Sequence, residues 1–255
     1  MELFVAGCHG GETPKHRTSA FVVDGRIAID AGALTSGLSL KAQCALDAVL
    51  VSHAHMDHVR DLATIADNRT QLGAKPLEIV GIGHTIDALR KHFFNGLLWP
   101  DFTRIPTAKA PAVRYHVIDA LAPTKIGKYR VTAVPVTHTI DCVAFIVETP
   151  SGALAYSGDT GPTDLLWERL NETKKLRLLL MEVSFPDDEQ RLATVSGHHT
   201  PKTLAEDLRK YKNPSSLDVL LYHMKPTHER QVERECARLR GLNLSVPRLG
   251  DIYKV

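Results

Sequence analysis

Apolar residues along the chain fall into short runs with two distinct periods. Leu3–Ala6 reads as a strand, and Ser19–Val23 and Arg26–Asp30 read as the arms of a hairpin turned by Asp24-Gly25. Ala48 to Ser52 is an apolar run bounded by polar residues, the pattern of a strand buried on both faces. Leu77–Gly81, Val113–Ile118, Tyr129–Val136, Ala144–Glu148, Ala153–Ser157, Leu176–Glu182, Val219–Tyr222 and Leu249–Lys254 carry further strand patterns, the last as an edge strand. Helical spacing predicts helices over Val59–Asn68, Thr85–Phe94, Leu166–Thr173, Thr200–Tyr211 and Arg230–Arg240, with a weaker one over Ser36–Leu46. No repeat, low-complexity tract or Gly/Ser linker interrupts this alternation, so residues 1–255 are expected to form a single domain.

The ends of the strands carry the chemistry. His53-Ala54-His55-Met56-Asp57-His58 occupies the turn between the strand ending at Ser52 and the helix starting at Val59. Three imidazoles and a carboxylate crowded beside an apolar core are costly unless a divalent metal compensates them. A solvated loop with chance histidines is the competing reading. His138, Asp159 and His223 each likewise follow an apolar strand, and strand-end residues remote in sequence meet at one edge of a sheet. Five histidines and two aspartates exceed the four ligands of one tetrahedral zinc. They suit two metals about 3.5–4 Å apart with one carboxylate between them. Asp30 ends a strand and could orient a metal ligand from behind, or could be a plain turn residue.

Composition narrows the setting. The chain has thirteen histidines, an excess that points to metal or acid–base work. A net charge of +2 gives no argument for nucleic acid or an acidic membrane. Cys8, Cys44, Cys142 and Cys236 are far apart and form no CxxC pair, which favours free thiols in a reducing compartment. The N-terminus runs directly into a strand without a signal-peptide pattern, and no apolar run has the length of a membrane span. A cytoplasmic location is expected.

The ordered series Asp30, His53-x-His55-x-Asp57-His58, His138, Asp159 and His223 resembles the metallo-β-lactamase fold superfamily over nearly the whole chain. The resemblance implies a four-layer αβ/βα sandwich with a dinuclear site at one edge. It implies that His53, His55 and His138 hold one metal, that Asp57, His58 and His223 hold the other, and that Asp159 bridges them, with a hydroxide between the metals as nucleophile. Zinc suits the histidine-rich set, and manganese or iron would fit too.

Ser52-His53-Ala54-His55-Met56-Asp57-His58, Phe94-Asn95-Gly96-Leu97-Leu98-Trp99-Pro100, and Glu182-Val183-Ser184-Phe185 followed by Ser196-Gly197-His198 are similar to the class II 3',5'-cyclic-nucleotide phosphodiesterases. That family usually has Leu where Met56 stands and Gly or Ser where Asp61 stands. The implied substrate is a cyclic nucleotide such as cyclic AMP or cyclic GMP. Glu182-x-x-Phe185 and His198-x-Thr200 also resemble the transfer-RNA 3'-processing endonucleases. Those usually grip RNA with a long basic, Gly-rich arm, which this chain does not carry. RNA is therefore the less favoured partner, and a homodimer stays open.

A lactone or thioester hydrolase and a non-catalytic metal-binding scaffold are the remaining alternatives. His198 is read either as a general acid or charge stabiliser at the scissile phosphate, oriented by Glu182, or as a helix-capping histidine. His199 receives no role. The aromatics between Phe93 and Phe102 either stack a nucleobase or close the core.

Overall fold

The computed structural model describes residues 1–212 and 214–255. Its strands are β1 (Glu2–Gly7), β2 (Ala20–Val23), β3 (Ile27–Ile29), β4 (Ala48–Leu50), β5 (Leu77–Gly81), β6 (Val113–Val117), β7 (Thr124–Ile126), β8 (Tyr129–Val136), β9 (Cys142–Thr149), β10 (Gly152–Tyr156), β11 (Leu176–Glu182), β12 (Asp218–Tyr222), β13 (Asn243–Ser245) and β14 (Ile252–Lys254). Its helices are α1 (Leu34–Gly37), α2 (Leu40–Ala45), α3 (Met56–Val59), α4 (Leu62–Gln71), α5 (Gly83–His92), α6 (Leu165–Glu172), α7 (Gln190–Ser196), α8 (Pro201–Leu208) and α9 (Glu229–Cys236).

The strands form two mixed sheets, ordered β14-β1-β2-β3-β4-β5-β6 and β13-β12-β11-β10-β9-β8-β7. In each sheet one half is antiparallel and the other parallel: β3 to β6 run parallel in the first, and β10 to β13 in the second.

Alternation along the strands builds the layers. Phe21, Val23, Ile27 and Ile29 face Phe145, Leu154, Tyr156, Leu180 and Tyr222 in a core shared by the two sheets. The intervening Ala20, Val22 and Ala28 turn outward onto Leu62, Ile65, Ile86 and Leu89 of α4 and α5. On the second sheet Leu179, Met181, Val219 and Leu221 pack under Leu166, Trp167, Leu204 and Val232 of α6, α8 and α9. Strands buried on both faces read as unbroken apolar runs for this reason. The result is the expected four-layer αβ/βα sandwich, in which the parallel strands deliver their C-terminal ends to one edge.

The structure departs from the sequence reading in several places. The helix expected over Val59–Asn68 is two: α3, which contains Asp57 and His58, and α4. The weak helix over Ser36–Leu46 is also split, with Ser39 capping α2 through its side chain. The short strands β7 and β13 and the helix α7 were not expected at all. α8 and α9 end earlier than helical spacing suggests. Phe93, Phe94 and Phe102 are buried in the first sheet's outer core, so these rings close the core and are not offered to a base. No described helix is long and apolar enough to cross a membrane.

Candidate metal centre

The turn after β4 carries most of the donors. His53 lies beyond the end of β4, His55 caps α3 at its N-terminus, and Asp57 and His58 stand in its first turn. His138 follows β8, Asp159 follows β10 and His223 follows β12, where its backbone takes a positive φ of 70°. Such a backbone conformation is uncommon for a side-chain-bearing residue, and a site that needs the ring in one place is where it tends to be found.

These donors meet in two groups. In the first, His55 Nδ1 lies 3.0 Å from His53 Nε2 and 3.2 Å from His138 Nε2. In the second, His223 Nε2 is 3.3 Å from Asp57 Oδ2, and His58 Nε2 is 3.9 Å from the same oxygen. Asp159 Oδ2 sits between the groups, 3.7 Å from His53 Nε2, 3.2 Å from His58 Nε2 and 3.3 Å from His223 Nε2. All seven residues named from the sequence are thus brought to one place.

The opposite nitrogen of most of these rings is already engaged. His58 Nδ1 is 2.7 Å from Asp30 Oδ2, His138 Nδ1 is 3.0 Å from the Gly197 carbonyl, and His223 Nδ1 is 2.9 Å from Ser184 Oγ. His53 Nδ1 lies 3.0 Å from Ser52 Oγ and 3.5 Å from Cys142 Sγ. A metal-bound histidine typically has its second nitrogen held this way, because that fixes both tautomer and ring orientation. Asp30 is fully buried and serves as an anchor, accepting from Ser52 N, Ser52 Oγ and Tyr156 OH besides His58.

Burial and mutual charge set the protonation of these groups. Burial disfavours charge on His53 and His223 and lowers both pKa values. Burial also opposes charge on His58, yet Asp159 and Asp30 outweigh it and raise its pKa. Burial alone would neutralise Asp159, but the neighbouring imidazoles of His223 and His58 keep it ionised. Asp57 follows the same pattern, with His223 and His58 holding it below the usual carboxylate range. His58 Nε2 is buried 3.2 Å from Asp159 Oδ2 without an aligned hydrogen bond, and Asp159 Oδ1 is buried without a hydrogen-bond partner. Buried imidazole nitrogens and carboxylate oxygens 3.0–3.3 Å apart, some left unpaired, are the lone pairs that divalent cations satisfy, so this residue set fits them.

Beside the second group stands His198, 6% exposed, with its ring stacked 5.2 Å from that of His223. Its Nδ1 lies 3.3 Å from Glu182 Oε1 and 3.2 Å from Ser184 Oγ. Burial works against charge on His198, and the Glu182 carboxylate overcomes it, so its pKa is raised. Glu182 is itself fixed by backbone N–H groups of His199 and Thr160 and by Ser184 Oγ. The pair expected from the sequence therefore exists as a contact.

Gly197 makes the approach feasible. Its φ is +68°, it closes α7, and a Cβ there would stand 3.0 Å from His138 Cα. His199 is buried behind the site, with Nδ1 3.0 Å from Thr203 Oγ1 and Nε2 3.6 Å from Asp207. Ser184, Tyr156 and Cys142 were missed from the sequence. Ser184 lay inside a quoted motif, but a single hydroxyl gives no spacing signal. Asp61, where the phosphodiesterase pattern has a small residue, accepts hydrogen bonds from Thr35 N and Oγ1.

A family model described as "Beta-lactamase superfamily domain" matches residues 26–224. The chain is 28% identical over 208 residues to a probable 3',5'-cyclic-nucleotide phosphodiesterase of Yersinia pestis, covering 72% of this chain and 58% of that protein. It is 28% identical over 183 residues to the 3',5'-cyclic-nucleotide phosphodiesterase of Schizosaccharomyces pombe, covering 62% of this chain and 49% of that protein. The chain thus spans about half the length of these curated relatives. Among solved structures, unliganded yeast PDE1 superposes with a TM-score of 0.84 at 20% identity, covering 98% of each chain, a likeness of fold.

Proposed function

The chain belongs to the beta-lactamase superfamily, and from that premise we propose that it is a metal-dependent hydrolase of 3',5'-cyclic nucleotides, working as a single hydrolase domain. The observation that carries the proposal is the pairing of two donor groups around Asp159 with a buried, carboxylate-backed histidine at their edge. A phosphodiester resists attack because it is anionic, and its alkoxide leaves badly. Two divalent cations, zinc foremost, would neutralise that charge and acidify a water. His53, His55 and His138 would hold one, Asp57, His58 and His223 the other, and Asp159 both.

The chain's own residues supply the rest. Asp30, Ser184, Ser52 and the Gly197 carbonyl orient the imidazoles, so the site needs little reorganisation when substrate arrives. Among the site's carboxylates Asp57 is the most exposed, 30% at its side chain, and would be the one to meet an attacking water and take its proton. His198 keeps Nδ1 toward Glu182 and Ser184, which leaves Nε2 to face the substrate. Glu182 favours the protonated imidazole, the form that can give a proton to a departing ribose oxygen. The names of the curated relatives support the cyclic-nucleotide substrate over other phosphodiesters.

Product analysis tests the proposal. Protein loaded with zinc, manganese or iron is offered cyclic AMP, cyclic GMP, their 2',3' isomers, a precursor transfer RNA, and a lactone and a thioester. Nucleoside monophosphate from the 3',5' isomers, well ahead of every other product, is the expected outcome. Preferential trimming of the transfer RNA, or hydrolysis of the lactone or thioester alone, would overturn it.

A further inference from the structure

A second group of ligand-type side chains lies apart from the site already described. His9 and His16 stand in the loop between β1 and β2, and Glu229 is the first residue of α9. One donor atom from each lies within 4.8 Å of the other two. His9 Nε2 is 3.5 Å from Glu229 Oε1, and His16 Nε2 is 3.1 Å from Glu229 Oε2. The two rings meet edge to face, with centroids 4.7 Å apart. Their other nitrogens are occupied: His16 Nδ1 is 2.5 Å from Thr13 Oγ1, and His9 Nδ1 lies 3.1 Å from the Arg17 backbone N–H and 3.2 Å from the Arg17 carbonyl, the second contact being the one that leaves Nε2 free for a metal. Both rings are therefore locked with Nε2 aimed at one carboxylate, the orientation that metal-ligating histidines take from the partners behind them.

The spacing suits a small divalent cation. Nitrogen and oxygen ligands at about 2.0–2.2 Å from a tetrahedral zinc stand roughly 3.3–3.6 Å from one another. The nitrogen–oxygen separations here, 3.5 Å from His9 to Oε1 and 3.1 Å from His16 to Oε2, lie near that edge length, with the carboxylate offering one oxygen to each ring. Burial lowers the His9 pKa, favouring the neutral imidazole that can donate a lone pair. Arg248 is the competing cation, 3.5 Å from Glu229 Oε1, but it is mostly exposed and also paired with Glu233 at 2.8 Å. It can keep that partner if Glu229 turns to a metal.

We propose that His9, His16 and Glu229 form a further divalent-metal site of the zinc class, structural in role, with two imidazole nitrogens and one carboxylate as protein ligands and water completing the shell. Its consequence lies in what the loop supports. His223 N donates to Cys8 O at 2.8 Å, and Gly10 N donates to Met224 O at 3.0 Å. A Cβ on Gly10 would stand 2.3 Å from the His223 carbonyl, so the loop backbone lies directly against this ligand. A metal joining the loop to α9 would stiffen the wall behind His223 without touching substrate.

The test counts metal and does not depend on turnover, so its outcome is separate from the substrate question. Wild-type chain, His16→Ala and Glu229→Gln are loaded with zinc, freed of loosely held ion and assayed for zinc per folded chain. Each variant is expected to hold one zinc fewer than wild type. Zinc is also expected to slow tryptic cleavage after Lys15 and Arg17 in wild type more than in the variants. Equal zinc counts with equal zinc effects on cleavage would overturn the proposal, leaving a hydrogen-bonded His–Glu–His cluster. Glu229→Gln keeps the shape of the side chain and supplies the comparison should His16→Ala fail to fold.

Discussion

His198 is held through one nitrogen, and its value should therefore depend on what leaves. Glu182 and Ser184 fix Nδ1, so replacing the ring by alanine removes the proposed proton donor without removing any of the seven residues grouped around Asp159. General acid help is typically worth about 10²–10⁴-fold. His198→Ala should lose roughly that much on a cyclic nucleotide, whose alkoxide needs a proton, and far less on bis-p-nitrophenyl phosphate, whose phenolate leaves unaided. Metal content should be unchanged. Equal losses on both substrates would assign His198 to phosphate binding instead. The sequence made the primary donors legible at this scale because imidazoles and carboxylates clustered at strand ends are improbable without a purpose. It could not reveal the residues behind them. Tyr156 reaches Asp30 across 126 positions, and Ser184 reaches His223 across 39, so only the folded backbone brings them together.

At the scale of elements, apolar runs located the strands well because those strands are covered on both faces. β5, β8 and β11 begin and end where the pattern places them. The elements that were missed lack that signal. β7 and β13 have three residues each and lie at sheet edges, where little burial constrains the sequence. α7 has Ala193 as its one buried residue and exposes Leu192 and Val195, so its helical stripe is faint. The split of α3 from α4 falls where Asp61 N donates to the Ala31 carbonyl and leaves the helical ladder, after which α4 lays Leu62 and Ile65 on the sheet. The aromatic segment was ambiguous because a buried phenylalanine and a stacking one look alike in sequence. Burial of Phe93, Phe94 and Phe102 decides the matter for these three rings, while Trp99 is half-buried.

For the whole molecule, burying so many imidazoles couples stability to protons. Burial lowers the pKa of His9, His53, His55, His138, His199 and His223. Once released by unfolding, these rings bind protons more readily, so acidification through the ordinary histidine range favours the unfolded chain. His58 and His198 act in the opposite sense: with raised pKa values, their stabilisation is complete below that range and is lost as pH rises through the folded values. His53 and His58 shift furthest and in opposite senses, so the five other lowered rings, set against His198, give the expected sign. The metal-free chain, held in chelator, should show a Tm that falls between about pH 8 and pH 5. A flat or rising Tm over that interval would contradict the burial described for these rings. Metal should raise the Tm at each pH, since an ion bound only by the folded chain stabilises it by mass action. The proposed function requires the two donor groups to act as one hydrolytic centre through the carboxylate they share. Turnover of cyclic AMP by zinc-loaded wild type and by Asp159→Ala, with the variant's fold checked by circular dichroism, tests it most directly. A folded variant with turnover abolished is expected, because the apolar strands carry the fold and Asp159 only the centre; a folded variant with near wild-type turnover would show that the two groups do not work through Asp159.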